Sequence, residues 1–165
     1  MTAYLYKAPA GVPGSITRVD NTTVESAMFD ATTPPTKFGQ PVKVNPATGK
    51  MQLMGTGSAA ADFYGINTRI VPAIGGDLDE TLLGGVPDPK QFQGIAIKGY
   101  VNVLCPTGTP VRDGAVYVRV VLNGAKLPGD FEATADGVNN VLVPELVWAT
   151  NGKDSSNVAE VRIAR

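Results

Sequence analysis

The 165-residue sequence contains no histidine. Imidazole is the usual general base near neutral pH and the commonest metal ligand, so Ser-His-Asp triads, Cys-His dyads, cupin-type metal sites and zinc hydrolase sites are all closed to this chain. Carboxylate pairs and Ser-Lys chemistry survive, which leaves an enzyme disfavoured. Cysteine occurs once, at Cys105, so no internal disulfide can form; that fits a reducing compartment, or an assembly that later leaves the cell. No run approaches the roughly 18 apolar residues of a membrane span, and the stretch Met1 to Pro9 lacks the apolar core of a secretory signal. Charge is sparse and balanced, with Lys+Arg 14 against Asp+Glu 15 interspersed along the chain, so there is no basic footprint for nucleic acid. The expectation is a protein made and soluble in a cytosol, with neither nucleic acid nor membrane as partner.

What the chain has in excess is turn formers. Gly 19 and Pro 13 make up close to a fifth of the residues, below the roughly 25–30% of disordered chains, so the excess reads as many turns in one folded domain. Residues 1–37 carry two breaker clusters, Pro9-Ala10-Gly11-Val12-Pro13-Gly14 and Thr32-Thr33-Pro34-Pro35, and read as an extended N-terminal arm. Within it Ser15 to Val19 alternates as a strand should, and Thr22 to Phe29 is a weaker strand candidate.

Residues 38–165 read as a single β-domain. Val42-Lys43-Val44 and Met51 to Met54 flank Asn45-Pro46-Ala47-Thr48-Gly49-Lys50, a hairpin signal. Further strands are expected at Phe63 to Val71, Gly94 to Leu104, Ala115 to Leu122, Asn140 to Thr150 and Val158 to Ala164. Residues 72–91 form a long excursion in which Asp79 to Leu83 would make one helical turn. Seven to nine short strands without helices between them define an all-β fold, a jelly roll or a small β-barrel or sandwich.

The chemical motifs dissolve on inspection. Gly55-Thr56-Gly57-Ser58-Ala59-Ala60 fits a dinucleotide fingerprint, but a long helix must follow and Asp62-Phe63-Tyr64-Gly65 follows instead. Gly49-Lys50 lacks the rest of a P-loop and is a turn. Cys105, beside Pro106 at a strand end with no base in the chain, reads as a buried structural thiol. Asp77, Asp79, Glu80 and Asp88 lack the ligand spacing of a calcium loop and read as solvated charge. Asp62, Asp77, Asp79, Glu132 and Glu145 are candidate carboxylates by type only, since nothing in their spacing pairs them. Trp148, the only tryptophan, either packs in the core or forms an exposed platform for a sugar; the residues leave both open. No catalytic, cofactor or metal residue is assigned.

Four pieces, Phe38-Gly39-Gln40-Pro41-Val42, Tyr64-Gly65-Ile66 with Arg69, Gly99 to Val103 with Gly114 to Arg119, and Val147 to Thr150 with Val158 to Ile163, follow one another in an order that resembles the structural cement, or head decoration, proteins of tailed bacteriophages. The resemblance implies an all-β protein without cofactors that binds the exterior of the assembled icosahedral head. There it would clamp neighbouring major capsid protein subunits, as a homotrimer or homodimer, after synthesis in the host bacterial cytoplasm. Under that reading the apolar residues Tyr4, Leu5 and Tyr6, with Ile16 and Val19, are the expected contacts with capsid or sister subunit. The competing reading is a carbohydrate- or receptor-binding β-module of a phage tail or surface structure, which needs exposed aromatics.

Overall fold

Short runs rich in Val, Ile and aromatic residues, separated by Gly, Pro and Asn, leave the chain little option but short strands and tight turns. The computed structural model describes residues 11–69 and 86–164, and in these it is all-β. The strands are β1 (Thr23–Met28), β2 (Pro41–Val44), β3 (Met51–Leu53), β4 (Gly65–Asn67), β5 (Phe92–Leu104), β6 (Ala115–Arg119), β7 (Phe131–Glu132), β8 (Asn140–Trp148) and β9 (Val158–Ile163). Two single 3-10 turns, Val19–Asn21 and Ala60–Asp62, are the only helical pieces among the described residues.

The strands form one curled antiparallel sheet in the order β3-β2-β4-β5-β9-β8-β6-β7, with β1 paired to β5. The 13-residue β5 is its spine. Its first half, up to Lys98, pairs with β1 and β4, and its second half, from Gly99 onward, pairs with β9. The change of partner falls at Gly99, whose φ of +112° suits only glycine. Ala96 faces the large core with Met54, Phe63, Ile66, Val103, Val118, Phe131, Trp148 and Val161, while its neighbour Ile95 points the other way into a smaller cluster with Phe29, Val42 and Met51. The period-2 alternation of one strand thus serves two cores.

Most sheet edges are covered. Beyond β1 the chain runs along β3, through a parallel bridge Phe29↔Met51 and the hydrogen bonds Asp30 N–H to Met51 O (2.7 Å) and Leu53 N–H to Thr33 O (2.9 Å). This closes β1, β5, β4, β2 and β3 into a ring about the smaller core. The outer edge of β7 is covered by Thr107, which bridges to Glu132 and accepts from Ala133 N–H at 3.1 Å. Such coverage protects a strand-rich protein from edge-to-edge aggregation.

Candidate interaction surface

Residues 11–22 lie on the β-domain. Gly14 N–H donates to Asn102 O (2.8 Å), Asn102 N–H to Ser15 O (3.0 Å) and Thr17 N–H to Tyr100 O (3.2 Å), so the segment runs antiparallel to the second half of β5. Ser15 to Val19, expected as a strand, makes only the single bridge Ile16↔Val101, because the backbone turns into the 3-10 turn at Val19. Thr22 to Phe29 fares better, its core forming β1.

The root of this segment is tight. Gly14 and Gly39 meet with φ of +84° and +76°, and a Cβ on Gly39 would sit 2.7 Å from Gly14 N. Arg69 N–H donates to Gly14 O at 2.8 Å, and the Arg69 guanidinium stacks 4.8 Å from the Phe38 ring centroid. Farther on, Arg18 lies 3.9 Å over the Tyr100 ring and 3.3 Å from Glu160, whose carboxylate also accepts from Thr17 Oγ1.

Of the five expected contact residues, two fall in the described part, and the fold separates them. Ile16 is half-buried against its own sheet, whereas Val19 is 77% exposed at the tip of the turn. Tyr4, Leu5 and Tyr6 lie outside the described residues, as do Asp77, Asp79, Glu80 and the helical turn expected at 79–83. Two further exposed apolar areas had no sequence signal. On the β1–β5 pair, Phe92 is 67% exposed directly opposite Met28, with Val24 exposed on the same face. At the far end of the sheet, Leu122, Leu127 and Val138 are all exposed on turns beside β6, β7 and β8.

Beneath those turns lies a fully buried ion pair. Arg119 Nε and Nη2 donate to Glu132 Oε1 at 3.1 and 2.7 Å, and Nη2 reaches Asp136 at 2.5 Å. Asn140 Nδ2 donates to Glu132 Oε2 at 2.5 Å, and Lys126 closes the network 3.2 Å from Asp136. Nearby, burial raises the Asp130 carboxyl against the opposing pull of Lys37, 3.8 Å away. This cluster ties two loops to the sheet; Glu132, a candidate acid by type, is committed to Arg119, and its fellow candidate Asp62 accepts from Ala59 N–H in a turn. Cys105 is buried, donates its thiol to Thr107 O at 3.3 Å, and is pushed by burial up to about 11. Gly55 to Ala60 is an ordinary loop closing into the turn at Ala60–Asp62. Trp148 is 1% exposed, and its indole N–H donates to Ala115 O at 2.9 Å, so it belongs to the core. Among the described residues no group of three His, Cys, Asp or Glu side chains is placed to hold a metal ion.

Fold and surface together define an all-β structural domain, with its buried polar groups committed to holding loops and its apolar side chains displayed at the rim. The comparisons make the class specific. The profile of the XM1 gp53 minor capsid protein family matches residues 1–163, and the chain belongs to that family. A chain from "The capsid of Myoviridae Phage XM1" is similar in fold, with a TM-score of 0.70 at 17% identity over 99% of this chain and 96% of that one. No curated protein matches the sequence. The protein is therefore capsid-associated and structural.

Proposed function

We propose that this protein is a decoration protein: it binds the outside of the assembled head and holds neighbouring major capsid protein subunits together, as a homodimer or homotrimer made in the host cytoplasm. The family description concerns a minor capsid protein, which supports a place on the virion. The observation that carries the reading is the anchored root at Gly14, Gly39 and Arg69. It holds residues 11–22 on the β-domain, which supports Tyr4, Leu5 and Tyr6, just ahead of that segment in the sequence, as contact residues together with the exposed Val19. Ile16 contributes by holding that root.

The test is to mix purified protein with undecorated heads. Saturation at a fixed ratio, with a raised rupture temperature of the heads, is expected; failure to saturate overturns the reading. Deleting residues 1–10 should leave the β-rich circular dichroism intact and weaken head binding at least tenfold. Unchanged binding would remove Tyr4, Leu5 and Tyr6 from the interface. The sugar-binding alternative loses its best candidate, because Trp148 is inside.

A further inference from the structure

Asparagine followed by glycine is chemically labile: with no glycine side chain in the way, the glycine nitrogen can reach the asparagine side-chain carbonyl and close a cyclic imide. The fold decides whether it does. Four Asn-Gly or Asp-Gly pairs lie in the described residues: Asp113-Gly114, Asn123-Gly124, Asp136-Gly137 and Asn151-Gly152. Three are held. Gly114 N–H donates to Val111 O (2.8 Å), and Asp113 pairs with Arg162 at 3.2 Å. The Asp136 carboxylate is bound by Arg119 and Lys126, and an ionised carboxylate resists attack by a nucleophile. Asn151 Oδ1 accepts from Arg112 N–H at 2.9 Å, while Gly152 N–H donates to Pro110 O at 2.7 Å. That proton must leave before the nitrogen attacks, and the bond keeps it in place.

Asn123-Gly124 differs. Asn123, Gly124 and Ala125 are exposed, and among the described residues neither the Asn123 side chain nor Gly124 N–H has a hydrogen-bond partner. The turn they belong to is clamped by Asn123 N–H to Lys126 O (3.2 Å) and Lys126 N–H to Asn123 O (3.1 Å). Neither bond uses the Gly124 nitrogen. Gly124 takes φ of +59°, and a Cβ there would meet nothing within 4 Å, so water has open access and the backbone has room to rotate.

We propose that Asn123 is a site of spontaneous covalent modification, with the chain itself as the reagent and water as the co-reactant. Base in the solvent takes the Gly124 amide proton, the Gly124 nitrogen bonds to Asn123 Cγ, and the bond from Cγ to Nδ2 breaks. A proton returned by the solvent lets Nδ2 leave as ammonia. Water then opens the imide at either carbonyl, giving aspartate at 123, or isoaspartate, in which the main chain runs through the former side-chain carbons. Nothing is oxidised or reduced. Either product adds one negative charge to a chain of formal net −1. The new carboxylate lies beside the exposed Leu122, in the turn that also carries Lys126, whose ammonium holds Asp136 at 3.2 Å. It therefore competes for Lys126 with the network that seats Arg119. Isoaspartate also lengthens the backbone within the Asn123–Lys126 clamp, so the loop that displays Leu122 and Leu127 loosens as the protein ages.

Peptide mapping by mass spectrometry tests it on the full chain, incubated folded at mildly alkaline pH and, in parallel, unfolded in urea. In the folded protein Asn123 is expected to convert about tenfold faster than Asn151, which is the worth of the hydrogen bonds that hold the second pair. In urea that protection is gone, and the two should convert at similar rates. Gly124→Ala, which the open space admits, should slow conversion at Asn123 by about tenfold with the circular dichroism of the parent retained. Equal rates at the two sites in the folded protein, faster conversion at Asn151, or an Asn123 that stays intact while the unfolded chain converts overturns the assignment. So does a Gly124→Ala variant that reacts as fast as the parent, because Gly124 would then not be the nucleophile.

Discussion

At the scale of single residues, the molecule's polar side chains act as fasteners. Asp30 accepts from Thr32 N–H and Oγ1, from Asn45 Nδ2 and from Thr48 Oγ1, joining the chain after β1 to the β2–β3 turn. Those bonds, led by Thr32, pull its carboxyl from 3.8 to about 2. A depressed folded-state value means the stabilisation is complete above the unfolded value near 4 and is lost as pH falls through about 2. Stability against urea should therefore drop between about pH 4 and 2, and Asp30→Asn should flatten that limb. An unchanged limb would show that other carboxylates govern it. Arg119 is the harsher case. Arg119→Met strands Glu132 in the core and should cost about 3 kcal/mol in urea unfolding, the lower end for a broken buried pair because Asp136 reaches water. Adding Glu132→Leu should recover most of the loss, since the buried anion goes with it. Cys105 should resist thiol reagents in the native state: with its thiol near 11, only about one molecule in a thousand is thiolate at pH 8. Reaction at the rate of a free thiol would mean that the strand end opens.

At the scale of elements, backbone geometry decides which parts of the fold are visible in sequence. The β2–β3 hairpin is legible because Asn45 and Gly49 do physical work: Asn45 caps the turn through Ala47 N–H, and Gly49 takes φ +69°. β7 is illegible, because two residues give no alternation and Glu132, a charged side chain, is fully buried there by Arg119, 13 positions away. Pro144 sits inside β8 without breaking it, since the β6–β8 pairing slips between Ala115 and Tyr117 and releases that stretch from the ladder. β1 reads weakly because Thr23 to Ser26 bury little, yet β5 recruits it. The proposed contact residues are legible only where they are local: Tyr4-Leu5-Tyr6 is a visible cluster in the sequence, whereas Phe92 and Met28 are brought together by register. Gly39 offers a test of the arm's root. Gly39→Ala meets backbone at 2.7 Å as well as a positive φ, so it should cost about 1–3 kcal/mol and expose residues 11–22 to protease. Gly49→Ala, with nothing within 4 Å, should cost only about 1 kcal/mol and leave the arm resistant. Equal protease sensitivity in both variants would mean that Gly39 does not hold the arm.

At the scale of the whole molecule, one strand decides cooperativity. The smaller core about Phe29 and the larger one about Phe131 and Trp148 are separate clusters, which in another fold would melt apart. Here β5 sends Ile95 into one and Ala96 into the other, and a strand cannot lose one face while keeping its ladder on the other. Unfolding should be a single transition, and damage in the small core should be felt in the large one. Phe29→Ala, removing a side chain that is 1% exposed, should lower stability by about 3 kcal/mol and the midpoint by about 10 °C. Trp148 fluorescence, which reports the large core alone, should show that fall in full and coincide with the circular dichroism curve. If Trp148 instead melts where it does in the parent chain while part of the β signal is lost early, the two cores are independent. The ring that holds β1 could then open without the rest of the domain, so that β1 and the smaller core would be a place of local unfolding.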